Sequence, residues 1–468
     1  MLNEKGDSRP RANASVRLGA GHRASLAPAI PSEIPCPQYG HSGHSNSPRS
    51  GTHAIDSKTL MPRKAKRGAP LKIAFIRTFL PGFSPFVRKA TTHAYNRFFL
   101  TMNSQCARRA FLICLLASLS IPVLLGQGLS PQLAERVDQV ISTEMARRNI
   151  PGVSVAIAVG DSPIWSRGYG LADLENFVPA TERSRYRLAS ISKPITAVAL
   201  LKLVEAGKAN LDDDVRRYVP EFPQKSSTVT LRQLLGHLGG IRSYRGEESE
   251  STRHYVNVRD GLEMFSADPL EHQPGSKYLY STYGFNLAGA AAESIAGVPF
   301  RELIATTVFQ PAGMLQTRDD STYDLIPNRV AGYRRASDGS IQNCVLADTS
   351  NKVPGGGLIA TAPDVVRFGR AILDGAIATP SMRKLMFTPQ RLNDGKPSSY
   401  GMGWNITTLE GRQRVFHGGG QAGTSTFLDV LPEDGIVVAV LANLQGADPK
   451  TISEEILNVL LGRTATEE

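Results

Sequence analysis

Cysteine is scarce in this chain of 468 residues: Cys36, Cys106 and Cys114 fall near the front, and only Cys344 follows them. Beyond residue 128 no second thiol exists to form an intrachain disulfide. No Cys/His ligand spacing surrounds Cys344, which is expected to be a structural thiol. Long apolar runs are missing too. Residues 73–86 are broken by Pro81 and Pro85, and the run AFLICLLASLSIPVLLG falls short of the roughly 20 residues that a bilayer span needs. Acidic residues are rare only at the front, where residues 1–109 hold 18 Lys or Arg against 4 Asp or Glu. The net charge of +11 therefore belongs to the leading segment, and the remainder is nearly neutral. With no basic face on the folded part, nucleic acid is not an expected partner.

Residues 1–101 are rich in Ser, Pro, Gly, Arg and His without helical or strand periodicity, and are expected to be disordered or an over-extended translation. His41 and His44 have no carboxylate or cysteine at ligand spacing, so they are read as part of a solvated tail rather than a metal pair. At Met102 the pattern changes to a short basic segment followed by the apolar run, the layout of a secretory signal over residues 102–128. Met102 is the expected true start, and export to the periplasm or the extracellular space follows. An organellar transit segment, or a membrane anchor at residues 110–125, is the alternative.

Residues 129–465 carry the patterns of a folded domain. Residues 129–148 read as an amphipathic lid helix, and 152–159 and 164–170 as a hairpin at the start of a sheet. Short helices are expected at 230–237 and 261–265, a helix at 287–296, and a glycine-rich turn followed by a helix over 353–370. Alternating segments at 400–406, 414–417, 424–431 and 436–442, with turns at 418–423 and 432–435, predict further antiparallel strands before a closing helix at 449–461. Gly355-Gly356-Gly357 lacks the Gly-Lys-Ser/Thr ending of a phosphate loop and is read as a tight turn.

Three stretches could carry chemistry. In the run RLASISKPITAVALLKLVEAG, Ser190 and Lys193 lie one helical turn apart on one face, ahead of a helix apolar nearly all round. A serine hydroxyl needs a neighbour to take its proton, and a lysine can do so if burial and nearby positive charge lower its pKa. The helix start also aims backbone N–H groups at a developing oxyanion. In KYLYSTYGFN, Tyr280 could exchange a proton with Ser190 if neighbouring cations favour its phenolate, or could simply pack in an aromatic cluster with Tyr278, Tyr283 and Phe285. In His417-Gly418-Gly419-Gly420, glycines let a substrate approach the backbone and one N–H could complete the oxyanion hole, or the segment is a plain hairpin turn. Two rival matches exist. Ser381 and Lys384 form a second Ser-x-x-Lys on a short basic helix that could not desolvate the lysine, and Tyr255-Val256-Asn257 lies in a charged stretch.

Taken in order, S190-I-S-K193, Y280-S-T282 and H417-G-G419 resemble the penicillin-recognising serine hydrolases: class C β-lactamases, D-Ala-D-Ala carboxypeptidases and related esterases and peptidases. The runs RLASISKPITAVALLKLVEAGK, YVPEFPQK and KYLYSTYGFNLAG look most like the LACTB-type serine peptidases. The resemblance implies an α/β (α+β) fold, with an antiparallel sheet flanked by the terminal helices and a mostly helical inserted lobe, the site lying between them. It implies Ser190 as nucleophile, Lys193 and Tyr280 as proton carriers, His417 as a helper, and Gly419, Gly420 and Thr282 as oxyanion or substrate contacts. Neither metal nor cofactor is required. The expected partner is a small-molecule or peptide substrate, with homo-oligomers or filaments as known for some members, and a slow scaffold as the alternative function. His417 stands where the clan usually has lysine, and Thr282 where it often has asparagine. Both departures favour an esterase or peptidase over an efficient β-lactamase.

Overall fold

The computed structural model describes residues 128–463. The expectations for residues 1–101 and for the signal segment fall outside these, apart from Gly128. The main elements are α1 (Pro131–Arg147), β1 (Gly152–Val159), β2 (Trp165–Asp173), β3 (Val178–Pro179), β4 (Tyr186–Arg187), α2 (Ser192–Glu205) and α3 (Thr282–Ala296). They continue with β5 (Leu358–Ala360), α4 (Ala362–Leu373), β6 (Asn405–Leu409), β7 (Arg412–Gln421), β8 (Thr424–Leu431), β9 (Ile436–Ala442) and α5 (Pro449–Leu460).

Seven strands form one antiparallel sheet in the order β3-β2-β1-β9-β8-β7-β6, in which the first hairpin is joined to the last strand by β1–β9 pairing from Val153↔Ala442 to Val159↔Ile436. Period-two alternation makes this sheet two-faced. Val153, Val155 and Ile157, with Val438 and Val440, pack against Val137 and Ile141 of α1 and Ile452 and Ile456 of α5. Ala156, Ala158, Ala439 and Leu441 pack on the other face with Val365, Val366 and Phe368 of α4 and with the helical lobe. Small alanines on that face let α4 approach closely. Residues 129–148 thus yield a helix as read, but α1 is no lid: it pairs with α5 on the outer face, because its apolar stripe of Val137, Ile141 and Met145 needs the sheet to cover it.

α2 runs through the middle of the helical lobe, with Ser192 to Leu201 buried without interruption, as a helix apolar all round requires. Two readings of the C-terminal part are corrected. β7 does not end at His417 but continues to Gln421, so Gly418 to Gly420 are strand residues and only Ala422 and Gly423 turn the chain. Tyr400 lies before β6 rather than in a strand, and its hydroxyl is carried back beneath His417. The helix expected at 287–296 begins five residues sooner, where Ser281 caps α3 by accepting from Gly284 N–H.

Under the sheet's outer face, Arg414 of β7 holds the fully buried Asp429 of β8 through two hydrogen bonds of 2.9 and 2.7 Å, and Ser453 of α5 adds a third at 3.1 Å. Removing the cation strands a carboxylate in an apolar layer. Arg414→Met should therefore cost about 3–5 kcal/mol of stability, read as a fall in the urea midpoint at unchanged slope.

Candidate active site

The site begins with a turn. β4 ends at Arg187, Ala189 takes a left-handed backbone (φ +48°), and residues 189–191 form one 3₁₀ turn before α2 starts at Ser192. A left-handed alanine costs about 1–2 kcal/mol. What it gains is direction, since Ser190 then lines a cleft of about 380 Å³ together with Tyr244, Thr282, Lys352, Gly355, Gly356 and Gly420. Gly419 is where the glycine is obligatory: a Cβ there would stand 2.4 Å from Leu188 O and 2.3 Å from Thr426 Oγ1. Only a bare backbone lets β7 sit against the serine turn.

Lys193 is completely buried, and its Nζ lies within hydrogen-bonding distance of Ser190 Oγ at 2.9 Å, Gly355 O at 2.7 Å and Thr282 Oγ1 at 3.2 Å. Among the described residues no carboxylate pairs with the amine, and in its neutral form it can donate to Gly355 O and Thr282 Oγ1 while accepting from the Ser190 O–H. Burial, and then the charge of Lys352, hold it well below the usual lysine range. Tyr280 packs beside it, with Lys193 Nζ 4.8 Å from the ring centre. Burial pushes the Tyr280 phenol up, with the nearby Ser190 hydroxyl opposing, so it rests as a neutral O–H donor rather than as the phenolate that neighbouring cations were expected to favour.

Tyr280 also belongs to the aromatic cluster that was its alternative reading. His237 lies 4.3 Å from its ring, 5.0 Å from Phe285 and 4.6 Å from Tyr400, and accepts from Ser281 N–H at 3.1 Å through Nδ1. Tyr283 points elsewhere, stacking on Phe265. One tyrosine thus has both the packing and the chemical position, while the others have packing only.

His417 is 1% exposed and does not face the cleft. Its Nδ1 lies 2.8 Å from Gly418 O and its Nε2 2.8 Å from Tyr400 Oη, so Nδ1–H donates to the carbonyl and Nε2 accepts the phenol's proton. Burial, then Lys193, lower its pKa to about 3. With both nitrogens engaged and the ring neutral, His417 has no proton for a leaving group and offers no charge in place of the clan's lysine.

Two residues of the cleft were not singled out in the sequence. Tyr244 lines the cleft with Thr282, and burial pushes its phenol up with the Thr282 hydroxyl opposing. Lys352 is 1% exposed, donates to Ser249 O at 2.5 Å, lies 5.2 Å from the Tyr244 ring centre, and is lowered to about 8 by burial and then by Arg187. A lysine just ahead of VPGGG, in a segment of apolar and small residues, was the available signal; for Tyr244, in a charged stretch, there was none. The rivals stand apart. Ser381 and Lys384 are exposed beside a separate cavity, and Tyr255 packs under Arg253.

A serine one turn from a buried lysine whose charge burial disfavours, set between an antiparallel sheet and a helical lobe, is the arrangement of serine hydrolases that work through an acyl-enzyme. The chain belongs to the beta-lactamase family, whose model matches residues 137–461. It is similar to the mitochondrial serine beta-lactamase-like protein LACTB of Homo sapiens, 29% identical over 403 residues, with 63% of this chain and 74% of that protein covered. Penicillin-binding protein 4* of Bacillus subtilis (strain 168) is 30% identical over 295 residues, covering 59% of this chain and 64% of its own. Among solved structures, the octameric penicillin-binding protein homologue from Pyrococcus abyssi superposes with a TM-score of 0.61 at 25% identity, covering 71% of this chain and 78% of that one.

Proposed function

We propose that this chain hydrolyses amide or ester bonds through an acyl-Ser190 intermediate, as a peptidase or esterase with weak β-lactamase activity. The observation that carries the reading is the buried Lys193 amine 2.9 Å from Ser190 Oγ with, among the described residues, no carboxylate partner. Lys193 takes the Oγ proton as Oγ attacks the carbonyl carbon, and the backbone N–H groups of Ser190 and Gly420 hold the oxyanion. The proton passes through the neutral Tyr280 phenol to the departing amine or alkoxide. Water then gives its proton to Lys193 as it attacks the ester carbonyl, and as the bond between the acyl carbon and Oγ breaks, Lys193 returns that proton to Oγ and restores the hydroxyl. Thr282 steadies Lys193. His417 positions rather than reacts, tying β7 to Tyr400.

The shape of the cleft supports an extended substrate. β6 pairs with β7 only as far as Phe416, which leaves residues 417–421 with one unpaired strand edge beside Ser190, where an amide backbone can add as a further strand. A neutral His417 and a hydroxyl at Thr282 support poor β-lactam turnover. Purified protein offered a p-nitrophenyl ester, a D-amino-acid peptide and nitrocefin should turn over the ester fastest and nitrocefin at least about 100-fold more slowly, given that one or two charge-assisted contacts are lacking. Equal rates on all three, or none on any, would refute the assignment. Export through residues 102–128 and assembly into homo-oligomers belong to the same proposal, the latter supported by the octamer named for the Pyrococcus abyssi homologue.

A further inference from the structure

A second cavity, of about 540 Å³, meets the Ser190 cleft at Ala422, which lines both. Its wall holds three arginines, and the backbone explains why they share a face. Tyr186 of β4 is fully buried in the core, so Arg185 and Arg187, one residue to either side, emerge together opposite it. Arg329 is the bridge partner of Arg185: Arg185 N–H donates to Asn328 O at 2.8 Å, and Val330 N–H donates to Arg185 O at 3.1 Å.

Three guanidinium groups lie here with one buried carboxylate between them, while the carbonyls of Ala347 and Ser321 also accept from Arg187 and Arg329. The buried Asp320 takes Arg187 at 2.7 Å and Arg329 at 3.0 Å. Asp348, the carboxylate in the wall itself, is occupied by His254, Thr322 and Ser350 at 2.8, 2.9 and 2.8 Å. Arg185 is left with Gln316 and, among the described residues, no carboxylate partner. The Nε atoms of Arg185 and Arg329 are both buried without a hydrogen-bond partner. The positive charge of this wall exceeds that of the carboxylates paired with it, so it fits an anion that brings several acceptor oxygens. Tyr323 and Leu346, 75% and 85% exposed, give the same cavity an apolar rim.

We propose that this cavity is a carboxylate subsite, so that the hydrolase acts on substrates bearing a carboxylate some distance along an apolar chain from the scissile carbonyl. The inference rests on the hydrolase reading for its substrate and on the arginine face for its chemistry. The β7 edge leads to it, since a chain laid along residues 417–421 reaches Ala422 and then the guanidinium groups.

The test uses p-nitrophenyl half-esters of glutaric, adipic and suberic acids, each paired with the neutral ester of the same length, on the full chain. One half-ester length should show a KM at least about tenfold below its neutral partner, the worth of one charge-assisted contact. Replacing both Arg185 and Arg329 by Met should raise that KM at least tenfold more than the neutral ester's, Arg329→Lys should restore part of it, and thermal melting should show the variants folded. Inorganic phosphate should compete with the half-ester. Phosphate that binds without competing would make the cavity a separate effector site and overturn the substrate assignment, as would half-ester KM values that ignore both arginines. Should no ester be cleaved, the hydrolase reading fails by itself, and calorimetric titration with phosphate decides the anion site: heat lost in the double variant upholds the arginine face as an oxyanion site, and no heat with the unmodified chain refutes it.

Discussion

Ser190→Ala should reduce ester hydrolysis by about 10⁴-fold or more and abolish covalent labelling by a fluorophosphonate, while Ser381→Ala, at the other Ser-x-x-Lys of the chain, should change neither. The contrast isolates what makes a serine reactive. Ser190 Oγ lies 2.9 Å from an amine whose charged form burial disfavours, so a base stands at bonding distance. Ser381 heads an equivalent tetrad on a surface helix, where both the serine and the lysine are exposed and no apolar layer encloses the amine. Removing one oxygen from Ser190 leaves Lys193 with Thr282 and Gly355 O, so the variant should fold normally. Labelling retained by Ser190→Ala and lost by Ser381→Ala would invert the assignment.

Lys193→Met should lower kcat/KM by about 10³-fold, the usual scale for a positioned proton acceptor. Its pH profile gives a finer check. Lys193 works only when neutral, so kcat/KM should fall as the pH drops through its folded pKa, and that acid limb should lie well below the ordinary lysine range because burial and Lys352 both disfavour the charge. His417, already neutral above about 3, contributes no limb in the working range. Lys352→Met removes the neighbouring cation, so Lys193 should hold its proton more tightly and the acid limb should move to higher pH. A limb that stays in place, or moves the other way, would mean that the two amines do not sense each other.

Local pattern carried most of the fold. β1, β8 and β9 were legible to the residue, because buried strands bounded by Gly-Asp-Ser-Pro and Pro-Glu-Asp-Gly turns leave little freedom in where they start. Ser190, Lys193 and Thr282 were legible as neighbours because sequence spacing fixes two of them and family motif order supplies the third. What spacing could not reveal was anything set by a distant segment. The direction of His417 depends on Tyr400 reaching back from before β6, and the company of Lys193 depends on Lys352 and Gly355 arriving from another turn. The glycines after His417 were read as a bend because glycine usually marks one. Here they are extended, and the reason, the serine turn pressed against Gly419, lies on a remote part of the chain.

The pairing of β1 with β9 has a consequence for how the chain is born. Val153 leaves the ribosome long before its partner Ala442 has been made. The β1–β2 hairpin must therefore wait, with its Val and Ile side chains unshielded, until β9 has been made, and closing so long a loop is slow. Nascent chains halted short of residue 436 should be held by chaperones or cut by proteases, and the central sheet should assemble only after the final strand is released.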